Sequence, residues 1–359
     1  MLWAWLIFIG FVFIMLALDL GVFHRKSHVV GFKESLGWSG VWITLGLSFS
    51  IVVYHAYENH WFDLGYSIDA VDNVVNSGKL AATKYLTAYV VEKSLSVDNI
   101  FVIAMIFSAL AVPARYQHRV LFWGILGALA MRGAMIGMGS ILVQNFHWLL
   151  YVFGVFLMLT GIKMLVTEEK EEHPEKSVIV RWIRKFFPVT REYHGQHFMV
   201  RAGSEWSHEA AEPGVEAKPD PVVDSAIPGK LLITPLAVAL ILVEVTDLIF
   251  AVDSIPAVFA ITSDPFLVFT SNVFAILGLR SLYFALAGLI TKFRYLKPAL
   301  SMVLILVGVK MLAAKWLKEW LGDSFNLTVL VVILAILATG VITSLIASPK
   351  SEGESPPAA

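Results

Sequence analysis

The sequence contains no cysteine in its 359 residues, and only 15% of its residues are charged. Without cysteine the chain has no disulfide, no thiolate nucleophile and no thiolate metal site. A net charge of −1 also argues against a nucleic-acid partner, because such partners are bound through a basic surface. Apolar residues, in contrast, make up 57% of the chain and give a mean hydropathy of +0.73. These values predict an integral membrane protein.

The apolar residues fall into runs of about 20, the length that an α-helix needs to cross a bilayer. They predict an all-α fold, a polytopic transmembrane helical bundle of about nine spans. The predicted spans are 2–23, 36–55, 83–111, 119–143, 147–166, 232–262, 266–290, 297–314 and 326–347. Lys and Arg concentrate in the loops after the first, third, fifth and seventh spans and in the C-terminal tail. By the positive-inside rule the N-terminus lies outside and the C-terminus in the cytoplasm.

The spans group into units along the chain. We divide it into an N-terminal pair of spans with an outer loop (1–82), a first three-helix repeat (83–166), a cytoplasmic flexible loop (167–231), a second three-helix repeat (232–314), a C-terminal span (315–347) and a disordered tail (348–359).

An internal repeat relates the two three-helix units. Arg132 precedes Lys163 by 31 residues (132 to 163), and Arg280 precedes Lys310 by 30 residues (280 to 310), within similar apolar sequences. Because each unit has an odd number of helices, the two copies cross the membrane in opposite directions. Inverted repeats of this kind are typical of secondary transporters.

Two predicted spans carry carboxylates at bilayer depth, in the acidic motifs Glu92–Asn99 and Glu244–Pro256. An ionised carboxylate there costs roughly 2.5–3.5 kcal/mol on insertion scales, so several of them indicate a polar site inside the bundle. Pro256 removes a backbone hydrogen bond, and we expect a kink or an unwound turn beside Asp253.

The repeat extends to these motifs in two registers. One register matches Asp98 to Asp247, and the other matches Asp98 to Asp253. The sequence leaves both open.

Carboxylate, amide, hydroxyl and carbonyl oxygens form a hard ligand set, which suits Mg²⁺, Ca²⁺ or Mn²⁺ better than Cu⁺ or Zn²⁺. The candidate metal ligands are Glu92, Asp98, Asn99, Glu244, Asp247 and Asp253, and the candidate charge-balancing residues are Lys93, Arg132 and Arg280. Five carboxylates and three cations leave a formal charge of −2, which one divalent cation or two protons would neutralise. This equivalence predicts an antiporter without a permanently bound cofactor. A salt-bridge lattice without transport is the alternative interpretation.

The loop at 167–231 is the largest polar segment. Its Ala-, Glu- and Pro-rich stretch at 209–221 predicts a flexible linker that cannot bury a core. His194 and His197 have the spacing of a metal-ligand pair, but without further histidines or cysteines nearby we favour a solvated loop and assign them no role.

The acidic motifs resemble the signature motifs of the TerC family of integral membrane proteins, named for tellurium resistance. The resembling segments are Glu92–Asn99 with Phe101, Glu244–Ala257, Asp264–Phe266 and Ser271–Arg280, within a resemblance that covers about residues 5–347. The sequence is especially similar to the Alx branch. The loop is longer than is usual in the family, by an insertion around 203–226, so nothing about that segment follows from the resemblance.

The resemblance implies a protein of the bacterial inner membrane that exports Mn²⁺, with the acidic motifs as the metal site. We therefore expect a transporter whose partners are membrane lipid, Mn²⁺ and protons, and we predict no particular protein partner. An enzyme is not expected, because the sequence has no redox motif, nucleophile constellation or phosphate-binding loop. The alternatives are a membrane assembly or metal-delivery partner for secreted proteins and a tellurium-resistance protein of other mechanism.

Overall fold

A computed structural model describes residues 1–21, 31–146, 148–166, 178–210, 219–286, 295–322 and 325–347. The helices are α1 (Leu2–Gly21), α2 (Phe32–Glu58), α3 (Gly78–Ala109), α4 (Ala114–Asn145), α5 (Trp148–Val166), α6 (Val178–Phe186), α7 (Pro221–Asp224), α8 (Pro235–Phe259), α9 (Pro265–Ile276), α10 (Leu279–Leu286), α11 (Leu296–Leu312), α12 (Ala314–Leu321) and α13 (Phe325–Ala347). Strands β1 (Ile68–Asp69) and β2 (Val74–Val75) pair antiparallel, as do β3 (Met199–Arg201) and β4 (Leu231–Ile233). The tail at 348–359 lies outside the described residues.

Six helical segments in the described part of the chain are long and apolar enough to cross a membrane. They are α2, α4, α5, α8, the α9–α10 pair and most of α13. The other three predicted spans coincide with α1, α3 and α11. Of these, α1 has a shorter apolar stretch and α11 has 17 residues, whereas α3 has 32 residues but carries Glu92, Lys93 and Asp98. The chain is thus an all-α, multi-pass membrane protein, and nine spans remain a prediction.

The helices of the two predicted units pack against each other. α3 contacts both α8 and α9, α4 contacts α8, and α5 lies along α11. Glycines allow the α5 and α11 backbones to approach closely. A Cβ on Gly161 would lie 2.8 Å from the carbonyl oxygen of Ser301, and a Cβ on Gly308 would lie 2.7 Å from that of Gly154. The two units therefore share one interior.

The helix interruption lies in a different helix from the predicted one. α8 continues through Pro256 to its end, so the unwound turn expected beside Asp253 is wrong. Pro256 lies in the last turn of α8, where few residues remain to be disrupted. α9 instead stops at Ile276, and Gly278, with φ of +80°, leads the chain into α10. A Cβ on Gly278 would lie 2.5 Å from the Cβ of Trp42, so this turn requires glycine.

Lys93 caps the interrupted end of α9. Its Nζ donates hydrogen bonds to the carbonyl oxygens of Ala275 at 2.9 Å and Leu277 at 3.2 Å. A cation at this position satisfies the last carbonyls of a helix and interacts favourably with the helix dipole. Lys93 thus ties α3 to α9 through backbone oxygens.

The described parts of the 167–231 loop, residues 178–210 and 219–231, are folded, which corrects the prediction that this loop cannot bury a core. Most of the Ala-, Glu- and Pro-rich stretch at 209–221 lies outside the described residues. The small core of this segment consists of Val200, Ala202, Val223 and Leu232. Val180 and Ile183 of α6 also join the large apolar cluster that α3, α4 and α8 form. Composition does not reveal this fold because the segment's own core is small. The membrane helices supply the rest of the apolar surface against which the segment packs.

The two histidines of this segment have separate carboxylate partners. His194 is buried, with its Nε2 3.6 Å from Asp220 Oδ2. His197 Nε2 lies 3.1 Å from Glu209 Oε2, and its ring stacks on Trp206. Each histidine therefore lies against a carboxylate of the folded segment.

A buried ion cluster closes the opposite end of the bundle. Lys84 Nζ lies 2.8 Å from Asp69 Oδ2 and 2.9 Å from Asp72 Oδ2, and the side chains of Lys84 and Asp69 are fully buried. Asp69 Oδ1 also accepts hydrogen bonds from the backbone N–H and the hydroxyl of Ser263. The loop between α2 and α3 is thereby fixed to the loop between α8 and α9.

We expect Lys84→Met to lower the free energy of unfolding by about 3–5 kcal/mol, because it leaves Asp69 buried without its cation. Chemical or thermal unfolding of the purified protein in detergent measures the loss. The double variant Lys84→Met/Asp69→Asn should recover part of it, and a double variant no more stable than the single one would contradict the ion-pair explanation.

The same measurement across pH separates the ion pair from packing. Burial would raise the pKa of Asp69, but Lys84 and the hydrogen bonds of Thr262 and Ser263 lower it from 3.8 to about 2. Ionised Asp69 therefore stabilises the fold above pH 3.8, and this stabilisation disappears as the pH falls to about 2.

Candidate functional site

Arg132 of α4 lies in the interior between α3 and α8. Its Nη1 donates a hydrogen bond to Glu92 Oε1 of α3. Its Nε and Nη2 donate to Asp247 Oδ2 and Oδ1 of α8, at 3.1 and 2.8 Å. The Arg132 side chain is 3% exposed, that of Glu92 1% and that of Asp247 17%. One guanidinium thus joins three helices, with the two-point geometry that gives arginine–carboxylate pairs their strength.

Ser254 and Asn272 complete the surroundings of Glu92. Ser254 Oγ donates to Glu92 Oε1 at 3.1 Å, and Arg132 Nη1 lies 3.4 Å from the side-chain oxygens of both Ser254 and Asn272. Among the described residues, Glu92 Oε2 and Asn272 Nδ2 are buried and have no hydrogen-bond partner. Buried polar atoms are nearly always paired, so the Glu92 oxygen has capacity for a proton, a water molecule or a cation, whereas the Asn272 amide nitrogen, which only donates, has capacity for a water molecule.

A cavity of about 20 Å³ lies beside the Arg132–Asp247 pair, with room for roughly one water molecule. Its polar lining comes from Ser96, Asn99, Arg132, Thr246 and Asp247. Ile276 and Leu279, which flank the break between α9 and α10, also line it. The interrupted helix therefore borders the same small space as the ion pairs.

Glu244 lies one helical turn before Asp247 and against α4. Gly127 of α4 makes room for it, because a Cβ on residue 127 would overlap the Glu244 carboxylate. Glu244 Oε2 is buried and has no hydrogen-bond partner within the described part of the protein. Three carboxylates, those of Glu92, Glu244 and Asp247, thus face α4, which supplies one guanidinium. The three carboxylates and the Arg132 guanidinium together carry a formal charge of −2.

The other predicted site residues are more dispersed. Asn99 is buried and lines the cavity, whereas Asp253 is half-buried and interacts electrostatically with Lys163 of α5. Arg280 is buried in α10. The backbone of Asp98 belongs to α3, and its side chain lies outside the described part of the structure.

No three His, Cys, Asp or Glu side chains in the described ranges are grouped closely enough to hold a metal ion. The physical reason is the position of Arg132, which lies between Glu92 and Asp247 and forms an ion pair with each. Sequence reasoning named these three residues but missed Gly127 and Asn272. Asn272 lies in a segment that carries the family resemblance, and Gly127 lies in the repeated stretch before Arg132. Both residues therefore belong to sequence features that could have identified them as part of the site.

Comparison with known proteins identifies the family of this chain. Residues 77–352 match the model of the integral membrane protein TerC family. An uncharacterized membrane protein of Myxococcus xanthus is 46% identical over 98% of this chain and 96% of its own length. Two further relatives are named "Putative membrane-bound redox modulator Alx". The one from Escherichia coli strain K12 is 42% identical over 83% of this chain and 82% of its own length. The one from Photorhabdus laumondii is 40% identical over 90% of this chain and 89% of its own length. No solved structure matches the chain.

We expect Gly127→Ala to destabilise the protein by about 1–3 kcal/mol, because the added methyl group displaces the Glu244 carboxylate in a packed interior. Gly137→Ala on the same helix is the matched control, since a Cβ there has no neighbour within 4 Å. The control should be neutral or slightly stabilising, because alanine favours helix more than glycine does. Equal melting temperatures for the two variants in detergent would contradict the placement of Glu244.

Proposed function

This chain belongs to the integral membrane protein TerC family, and we propose that it is a secondary transporter that exports Mn²⁺ across the bacterial cytoplasmic membrane in exchange for protons. The observation that carries the proposal is the convergence of Glu92 and Asp247, from two different helices, on one cation inside the bundle. Buried carboxylates paired in this way mark ion pathways in membrane proteins.

Arg132 acts as a tethered cation in this mechanism. Its guanidinium now takes the place between Glu92 and Asp247 that a transported cation needs, so a metal ion binds only when the guanidinium withdraws. In this exchange Glu92 and Asp247 always face a cation, either the guanidinium or the metal ion, which avoids the large cost of leaving buried carboxylates without one. Asn99, Thr246 and Ser96 line the adjacent cavity and supply neutral oxygen ligands.

The ligand chemistry supports a hard divalent cation. The cavity lining includes oxygen ligands from Ser96, Asn99, Thr246 and Asp247. The formal charge of −2 on Glu92, Glu244, Asp247 and Arg132 matches one divalent ion. The metal set in this proposal is the predicted one, Glu92, Asp98, Asn99, Glu244, Asp247 and Asp253, brought together when the helices rearrange. Protons compete for the same carboxylate oxygens, which is why metal binding and protonation alternate.

The packing also supports the inverted repeat. A two-fold axis that exchanges the units α3–α5 and α8–α11 would exchange the contact of α3 with α9 for the contact of α4 with α8, and both contacts exist. It would map the α5–α11 contact onto itself. In this arrangement the N-terminus is outside, and the folded segment (178–210 and 219–234) and the C-terminus are cytoplasmic.

The relatives named as redox modulators raise a second class of function. Thiol–disulfide chemistry is not open to this chain, because it has no cysteine. A role as an assembly or metal-delivery partner requires a protein-binding surface. The buried ion pairs of the interior would contribute nothing to such a surface. Transport accounts for the buried carboxylates directly.

We expect Asp247→Asn and Glu92→Gln each to abolish Mn²⁺ efflux, because each removes one charge of the converging pair while preserving its shape. The assay is release of Mn²⁺ from proteoliposomes, read with a metal-sensing dye, with the amount of inserted protein measured for each variant. Asp63→Asn is the control, since this carboxylate is 82% exposed in the outer loop. Transport retained in both Asp98→Asn and Asp247→Asn would contradict the site.

We expect efflux to accelerate when the side to which Mn²⁺ is released is made more acidic at constant membrane potential. Protons from that side then bind the carboxylates after the metal leaves. Proton movement opposite to the metal, followed with a pH-sensitive dye, is the direct measurement. Efflux that is indifferent to the pH gradient and moves no protons would contradict antiport while leaving Mn²⁺ as substrate.

A further inference from the structure

Helix α6 packs against the membrane bundle through two apolar side chains. Val180 and Ile183, 1% and 8% exposed, pack into the apolar cluster of α3, α4 and α8. Tyr193 OH, in the chain that follows, donates a hydrogen bond to the carbonyl oxygen of Leu110 at the end of α3. These contacts hold α6 at the level where the membrane helices end.

The exposed residues of α6 divide into two flanks. At 100° per residue, Trp182 and Arg181 lie on opposite sides of the buried strip, and Lys185 lies on the side away from it. Trp182 is 62% exposed and Phe187, just after the helix, is 53% exposed. The nine residues of α6 contain three basic residues and no acidic one. Amphipathic helices with this distribution lie in the membrane interface.

We propose that α6 is an interfacial helix that binds the headgroups of anionic lipids at the membrane surface next to the folded segment. Tryptophan prefers the headgroup level of a bilayer, where its ring is apolar and its N–H is hydrated. The basic flank then faces the phosphate layer, and anionic lipid is the partner of matching charge. The contacts of Val180, Ile183 and Tyr193 fix the depth of α6. At that depth both the Trp182 flank and the basic flank lie in the headgroup layer without any rearrangement of the helix.

The absence of cysteine allows a direct test of depth. A spin label attached to Trp182→Cys in the full chain, reconstituted in nanodiscs that contain phosphatidylglycerol, should be accessible to oxygen dissolved in the lipid and protected from a water-soluble nickel reagent. A label on Asp224→Cys, exposed in α7 of the same segment, is the control and should respond to nickel. A label at residue 182 that responds to nickel as strongly as the control would overturn the proposal.

Lipid selectivity provides the second arm. Native mass spectrometry of protein released from mixed phosphatidylcholine and phosphatidylglycerol nanodiscs should find phosphatidylglycerol enriched on the wild type. Arg181→Gln/Lys185→Gln should reduce that enrichment about fivefold for each charge removed, which corresponds to about 1 kcal/mol per basic residue. Arg201→Gln/Lys230→Gln removes the same charge from exposed positions on and beside β3 and β4 and should leave it unchanged. Equal enrichment in the wild type and in the α6 variant would overturn the proposal, as would equal loss in both variants.

Discussion

The interior of this protein depends on one desolvated guanidinium. Moving an ion of this size out of water costs several kcal/mol even after relaxation, and only well-placed partners offset that cost. Arg132 has those partners only when α3 presents Glu92 and α8 presents Asp247 to the same point. A single side chain therefore constrains how α3, α4 and α8 are rotated about their axes and shifted along them. The apolar packing between these helices has to accommodate that geometry.

The same rule applies to two lysines, the buried Lys84 and the half-buried Lys93. Lys84 is enclosed by oxygens of the outer loop, and Lys93 is bound to the last carbonyls of α9. Each of the three cations connects elements from both halves of the chain or the loops between them. A conformational change in such a protein proceeds by exchange of partners, because a charge left without one would cost more than the fold can supply.

The apolar runs predict nearly every long helix, and the acidic motifs predict where the polar interior lies. They do not predict which carboxylates meet, because spacing along a helix gives the face of a residue but not the rotation of that helix against its neighbours. The expected break at Pro256 is wrong, since a proline near a helix end removes little, whereas Gly278 beside Trp42 forces the break that exists. The folded loop was missed because the membrane helices supply part of its core.

The ties of Asp69 also set an order of assembly during synthesis. Lys84 follows Asp69 by 15 residues, whereas Ser263 follows it by 194. At a ribosomal rate of roughly 5–20 residues per second, Ser263 is made roughly 10 to 40 seconds after Asp69. During that interval the nascent outer loop has only its local lysine as a charged partner. Asp69 can therefore pair with Lys84 before Ser263 exists, and its contacts with the hydroxyl and N–H of Ser263 form only after the second half of the chain has been made.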